Sequence, residues 1–505
     1  MALTFRGESW YSWYSVIIMM GCYAFGELGH FLIGIVSRPL AQDVKFGDQG
    51  CLPNRTDTNK DHIKDCFGSN YTSCSEMTIN STTYCEWNYL GSGIEYQVLA
   101  GPAFIAVFTV MGIILGVIGD LYNRVRLLSL CVTVYSLMAI LTGFSSQYWQ
   151  LILLRFGFGA GEAGCSPLTA SIVADKFSLR SRGLAMSLFN WGIYFGYGLA
   201  FTVGNYVTQA NIIGQGWRWS YFLTGLPGLI MMALLITTVK EPQRTDVVAK
   251  KASAEEGVLS ENHPETDDHL LAESTNQVKQ EKPNGFATFC KALKLFVSNP
   301  AILMLLLAAS VRHTASFCWA YNTQIYFNLY YPEVDLGSWM LLCSIVGGSI
   351  GIASGGIISD LVVSKYGINT RLWVLVISQA VASPLAAMVL YLSPPYCFIT
   401  LLSAYLFAEM WFGILFTVFV EIFPIHVRST SIAIFIFVMN NIASSGQLLV
   451  PTLRYYLGLR TALYFTYAGF YGLSSVCFLC TQLIIRKQQQ GRENLAVNHK
   501  ERNEI

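Results

Sequence analysis

Apolar residues run in long blocks along this chain, and polar residues are concentrated at the joints between them. A bilayer core about 30 Å thick takes about 20 residues of helix to cross. Blocks of that length lie near 11–37, 94–119, 126–145, 149–174, 183–208 and 218–239. A second set lies near 299–328, 338–363, 371–391, 396–422, 428–450 and 461–485. In hydrocarbon each backbone amide must bond within its own segment, so every block predicts an α-helix. The short alternating strands of a membrane barrel do not occur. The pattern predicts an all-α membrane protein with twelve transmembrane helices. The first block, opening near Trp10, is too long for the apolar core of a cleaved leader and has no small-residue cleavage site, so it reads as a span.

Composition agrees. Of 505 residues, 53% are hydrophobic and 12% charged, where a soluble domain carries about 25% charged. Cations sit at block ends rather than in a stripe, which excludes a nucleic-acid partner. No nucleophile elbow, zinc motif or phosphate loop is present, which excludes the common enzyme classes and predicts no cofactor.

The blocks fall into two sets. An N-terminal six-helix bundle occupies 1–240, a polar linker 241–295, a C-terminal bundle 296–485 and a tail 486–505. The linker is rich in Glu, Lys, Ser and Asn and poor in aromatics, as solvated segments are, with room for a short surface helix. The sets repeat. "GVIGD" at 116–120 closes the second span and "GIISD" at 356–360 the eighth; "ADKFSLRSR" at 174–182 closes the fourth and "VEIFPIHVR" at 420–428 the tenth. Asp175 matches Glu421, Phe177 matches Phe423 and Arg182 matches Arg428. Duplicated six-span units are a hallmark of transporters and predict two pseudo-symmetric bundles.

Residues 38–93 carry N-x-S/T acceptors at Asn54, Asn70 and Asn80 and cysteines at Cys51, Cys66, Cys74 and Cys85. Together these predict glycosylation and disulfides in an oxidising space; four cysteines allow three pairings, which stay open. Arg124, Arg126, Lys176, Arg180, Arg182, Lys250, Lys251, Arg428, Arg486 and Lys487 fall on the other side. By the positive-inside bias both termini are cytosolic. The expected location is the plasma membrane rather than a lysosomal or endosomal one.

A charged residue inside a span is costly and marks a cavity or pathway. Glu162 lies mid-span with Arg155 two turns earlier; its alternative is a neutral, hydrogen-bonded carboxyl in helix packing. Aligning spans four and ten puts Glu162 opposite Ala408, beside Glu409, whose alternative is a bond to an indole such as Trp411. Glu27 and His30 share a face of span one, and histidine titrates in the physiological range; they read as a functional pair or a packing pair. Arg312 and His313 occupy span seven, the pseudo-equivalent of span one. The histidines do not fall at metal-ligand spacing, so no metal is expected. Gly116, Asp120, Arg124, Asp175, Arg182, Asp360, Glu421 and Arg428 gather at cytosolic helix ends, either as a gate or as solvated termini.

"GVIGDLYNRVR" at 116–126 resembles the loop after span two of the major facilitator superfamily, G-x-x-x-D-x-x-G-R-x-R. Gly116, Asp120, Arg124 and Arg126 match, and Asn123 replaces a glycine as a residue that tolerates left-handed backbone. "LLRFGFGAGEAGCSPLTASIVADKF", "GWRWSYFLTGLPGL" and "VKEPQR" resemble the spinster-like group. That group's first span shows N-x-x-D-R and then a proline and an aspartate. Here Pro39 and Asp43 hold the later positions, Glu27 stands at the Asn and His30 at the Asp, and the D-R pair is missing. The cysteine loop is an addition to the family's short one.

The resemblance implies a major facilitator fold, alternating access around one central cavity, a protonatable position at His30 and a gating role for the span-two motif. It implies proton- or ion-coupled transport of a small organic anion or anionic amphiphile, such as a lysophospholipid or sphingoid phosphate, with Arg155 as anchor. The expected partners are that substrate, the coupling proton or ion and membrane lipids, and the chain reads as a monomer. The competing reading is a non-transporting receptor or scaffold that uses the glycosylated loop; it leaves the ionisable residues inside the spans without a purpose.

Overall fold

The computed structural model describes residues 4–5, 8–53, 78–79, 82–83, 85–243, 285–367, 370–423 and 428–503. Twelve helical rods form where the apolar blocks predict them. The first six run Trp10–Ile35, 94–121, Arg124–Thr142, 148–176, 179–210 and Gly216–Thr238. The second six run Pro300–Tyr330, Leu336–Tyr366, Arg371–Tyr391, 396–422, Thr430–Leu457 and 459–503. Ten are long and apolar enough to cross a membrane by length and composition. The exceptions are the fourth, which carries Arg155, Glu162 and four glycines, and the glycine- and tyrosine-rich fifth.

Local chemistry sets the rod ends. Ser9 caps span one by accepting from the Ser12 amide at 3.2 Å. Asn299 caps span seven ahead of Pro300, whose missing N–H costs nothing in the first turn. Asn123 is extended rather than left-handed (φ −66°) and caps span three through the Arg126 amide at 2.9 Å. The match to glycine at this position therefore reflects a cap, not a left-handed turn.

Of those ten, spans one and seven are the most enclosed, with 72% and 61% of their most apolar stretch buried, against 28% for spans six and eleven. They form the centre of the molecule. Span one packs along span five, and span seven along span twelve. Glycine permits the closest approach: a Cβ at Gly196 would lie 2.4 Å from the Ala24 carbonyl oxygen and 2.6 Å from Glu27 Cβ.

One face carries the loop from 38 onward, with a short helix Ser37–Val44 and an antiparallel pair Gln49–Pro53 with Cys85–Tyr89. Cys51 is disulfide-bonded. Cys66, Cys74, the Cys85 side chain, Asn54, Asn70 and Asn80 lie outside the described residues, as does most of the linker. The opposite face carries the linker's end, a helix Gly285–Ser298. The expected tail does not begin a new element: span twelve continues as helix to Asn503.

Candidate functional site

Spans four and ten both depart from regular α-helix near the middle, and each departure adjoins an acid. The fourth runs Tyr148–Glu162, turns at Ala163–Gly164 and resumes at Cys165; the tenth runs Tyr396–Ala408, turns at Glu409–Met410 and resumes at Trp411. The duplication seen in sequence thus reappears as two locally irregular helices with a carboxyl at equivalent positions.

In the N-terminal bundle, Glu162 meets Glu27 and His30. His30 Nδ1 stands 3.7 Å from Glu27 Oε2 and 4.0 Å from Glu162 Oε2. The three side chains are buried, and their ligand atoms lie within 4.8 Å of one another. Neither oxygen of Glu162, which is 1% exposed, has a hydrogen-bond partner. Glu162 is therefore not held by a hydrogen bond within the helix packing, as its alternative reading required. His30 Nε2 bonds the Tyr321 hydroxyl of the C-terminal bundle, and the His30 ring stacks on Phe31 with centroids 4.6 Å apart. The absence of a metal motif in the sequence did not anticipate this cluster, because its members come from two spans.

Arg155 lies outside that cluster and is not a free anchor. Its guanidinium donates to the carbonyls of Leu99 (3.2 Å), Ala100 (3.3 Å), Gly29 (3.4 Å) and His30 (3.1 Å). Span two breaks at Gly101 before Pro102, and proline has no N–H to continue the ladder. Arg155 satisfies carbonyls at that break and ties it to span one.

In the C-terminal bundle, Arg312 Nη2 donates to Glu409 Oε1 at 3.0 Å and to the Ala408 carbonyl at 2.5 Å. Its guanidinium lies 4.1 Å from the centre of the Trp411 ring, a cation–π contact. Tyr194, from the N-terminal bundle, donates to Glu409 Oε2 at 3.0 Å. A cavity of about 150 Å³ opens here. Arg312, His313 and Glu409 line it together with nine aromatic side chains, among them Tyr194, Tyr197, Trp319, Trp411 and Tyr471. Phe31 is the single span-one residue on its wall. Arg312, His313 and Glu409 line the cavity, while Glu27, His30 and Glu162 are not on its wall and the Phe31 ring stacks on His30 beside it. Both clusters are central, but a ring divides them.

At the linker face Arg124 is a hub. It donates to Asp175 Oδ2 (2.6 Å), Glu241 Oε1 (2.7 Å) and Ser171 Oγ (2.8 Å), while Glu241 Oε2 also accepts from the Val125 amide at 2.9 Å. Arg182 donates to the Ala174 carbonyl. Asp360 pairs with Arg371 at 3.0 Å. Gly116 passes Pro167 at ordinary contact distance. The side chains of Asp120, Glu421 and Arg428 lie outside the described residues. Every described pair stays within one bundle, so in this conformation these residues brace each bundle rather than lock the two together. Glu241 and Arg371 were missed. Glu241 stands in "VKEPQR", and Arg371 opens span nine as Arg124 opens span three, so the duplication itself pointed to it.

Among the described residues, polar contacts between the bundles run from mid-depth to the loop face. Gln97 donates to Asn322 Oδ1 at 2.8 Å, Asn205 and Gln324 exchange bonds at 3.1 and 2.8 Å, and the Tyr206 hydroxyl reaches both Asp335 oxygens at 2.7 and 2.8 Å. The molecule is closed on its loop face. On the same face Asp43 accepts from Trp217 Nε1 at 2.9 Å and pairs with Arg218 at 2.9 Å, joining the ends of spans one and six.

Two six-helix bundles, irregular helices at equivalent positions and a central cavity between the bundles define a two-bundle membrane carrier fold. Residues 66–451 match the Major Facilitator Superfamily model, and the chain belongs to that superfamily. It is an integral, multi-pass membrane protein of a transporter family, not an enzyme. Its curated relatives include Protein spinster homolog 1 of Xenopus tropicalis, 34% identical over 148 residues. That stretch spans 29% of this chain and 28% of the relative. The Sphingosine-1-phosphate transporter SPNS2 of Danio rerio is 32% identical over 148 residues, 29% of each. A solved bacterial homolog of the human lysosomal transporter Spinster aligns with a TM-score of 0.66 at 17% identity, covering 95% of this chain and 99% of that one, and shares the fold. These matches agree with the spinster-like resemblance read from the motifs.

Proposed function

We propose that this protein is a secondary transporter for an anionic amphiphile, with Arg312 as the substrate anchor and the Glu27–His30–Glu162 cluster as the coupling-cation site. The observation that carries this reading is the aromatic cavity around a cation. Arg312 Nε has no hydrogen-bond partner, and a guanidinium can take an oxyanion on its free edge. The aromatic wall offers the apolar, flat surface that an acyl chain or ring needs. A cavity of about 150 Å³ holds a headgroup rather than a whole lipid, so the tail extends past it when the bundles rock apart.

The name of the Danio rerio relative, a sphingosine-1-phosphate transporter, makes a sphingoid phosphate the first substrate to try, followed by lysophospholipids. In our reading the loop face is extracytosolic, its acceptors are glycosylated and its cysteines paired, and both termini are cytosolic at the plasma membrane. The Arg124 and Arg371 pairs then brace the cytosolic ends. The test is uptake of radiolabelled sphingosine 1-phosphate and a lysophospholipid panel into vesicles containing the purified protein. Saturable, counterflow-competent uptake with a KM raised at least tenfold in Arg312→Gln supports the proposal. Unchanged uptake in that variant assigns the anchor elsewhere.

A further inference from the structure

We propose that the Glu27–His30–Glu162 cluster binds a divalent first-row transition-metal ion of the zinc or manganese class. This deepens the coupling reading by naming the cation and rests on that reading for the ion's purpose, though not for its binding.

The donor set is one imidazole and two carboxylates. Two negative charges would neutralise a divalent ion in an interior that penalises net charge. A sodium ion prefers oxygen ligands alone, whereas imidazole suits zinc and its neighbours. Glu162 supplies the second, independent observation: it is 1% exposed, and both oxygens lack a hydrogen-bond partner. A buried carboxylate left in that state is costly unless something absent from the protein itself binds it.

His30 is oriented for the task. Its Nε2 is engaged by the Tyr321 hydroxyl, which leaves Nδ1 facing both carboxylates at 3.7 and 4.0 Å. A fixed outer hydrogen bond on the second ring nitrogen is the usual arrangement for a metal-binding histidine. Bonds of about 2.1 Å place tetrahedral ligands roughly 3.4 Å apart. The observed separations of 3.7 and 4.0 Å need to contract by about 0.3 and about 0.6 Å. Gly26 provides the room: a Cβ there would lie 2.9 Å from Glu162 Oε1, so a larger residue would displace the carboxylate. Entry is through Phe31, which stacks on His30 and lines the cavity on its other side.

The experiment uses the purified full-length chain, stripped with chelator and titrated with Co²⁺ as a spectroscopic probe. One equivalent should bind with visible ligand-field bands and without the intense charge-transfer bands of thiolate ligation, which separates this site from the cysteines. Glu162→Gln and Glu27→Gln should each weaken that binding by at least about tenfold while eluting as the same monodisperse species. His30→Gln should change the band shape or abolish it. Absence of saturable binding, or binding unchanged in both glutamine variants, overturns the metal proposal. If binding is absent but proton-driven uptake still depends on Glu162, the coupling reading survives and the ion is a proton. If Co²⁺ binds as described but uptake ignores Glu162, the metal site stands and the coupling reading falls.

Discussion

Tyr194 of the N-terminal bundle donates to one oxygen of Glu409 at 3.0 Å while Arg312 of the C-terminal bundle holds the other at 3.0 Å. One carboxylate therefore joins the cavity's cation to the opposite bundle. Loosening either contact must be felt both in substrate binding and in the equilibrium between closed and open states.

Tyr194→Phe removes the hydroxyl and keeps the ring. The loop-closed state should lose about 1.5 kcal/mol, the worth of a hydrogen bond to a charged group. Gly348→Val should act in the same direction, because a Cβ at Gly348 would sit 2.0 Å from Tyr194 Cδ1. Spin labels at Ile213 and Tyr455, both exposed and on opposite bundles at the loop face, should report a longer distance in each variant.

Arg124→Ala should destabilise the N-terminal bundle by about 3–5 kcal/mol, because it strands Asp175 and Glu241 without their shared cation. Lysine should restore only part of this, since it lacks the forked donors that reach Ser171, Asp175 and Glu241 together. Thermal melting of the detergent-solubilised protein checks both.

Closure of the loop face has a pH signature. The Tyr206 hydroxyl, which donates to both Asp335 oxygens, holds that carboxyl below its ordinary value. A group whose folded pKa is depressed contributes above the unfolded value, and its contribution is lost as pH falls through the folded one. The Ile213–Tyr455 distance should therefore show no Asp335-dependent change from about pH 8 to about pH 5 and lengthen only below about pH 4. Asp335→Asn should remove that acid-induced step.

The positions of the rods were legible because each is a run of apolar residues bounded by polar ones, and the bilayer fixes the length of that run. The irregular turns in spans four and ten were not. Ala163, Gly164 and Met410 interrupt neither the hydropathy nor the length of their blocks, so only the fold reveals that Glu162 and Glu409 sit at turns. Glu27, His30 and Glu162 were each singled out, but their convergence depends on how span one packs beside span four. Arg155 was read as a substrate anchor; its carbonyl partners could not be foreseen, because two of them are exposed by a Gly101–Pro102 break in another span. Tyr194 and Tyr321 lie inside aromatic runs, and nothing in such a run marks which hydroxyl reaches the opposite bundle.

The central claim is that a buried cation site in the N-terminal bundle couples to a substrate cavity between the bundles across the Phe31 ring. The most direct measurement compares wild type and Glu162→Gln in proteoliposomes, reading substrate exchange at equilibrium and accumulation driven by an imposed cation gradient. The account predicts that exchange persists while gradient-driven accumulation is lost. Accumulation at the wild-type level in Glu162→Gln would contradict it.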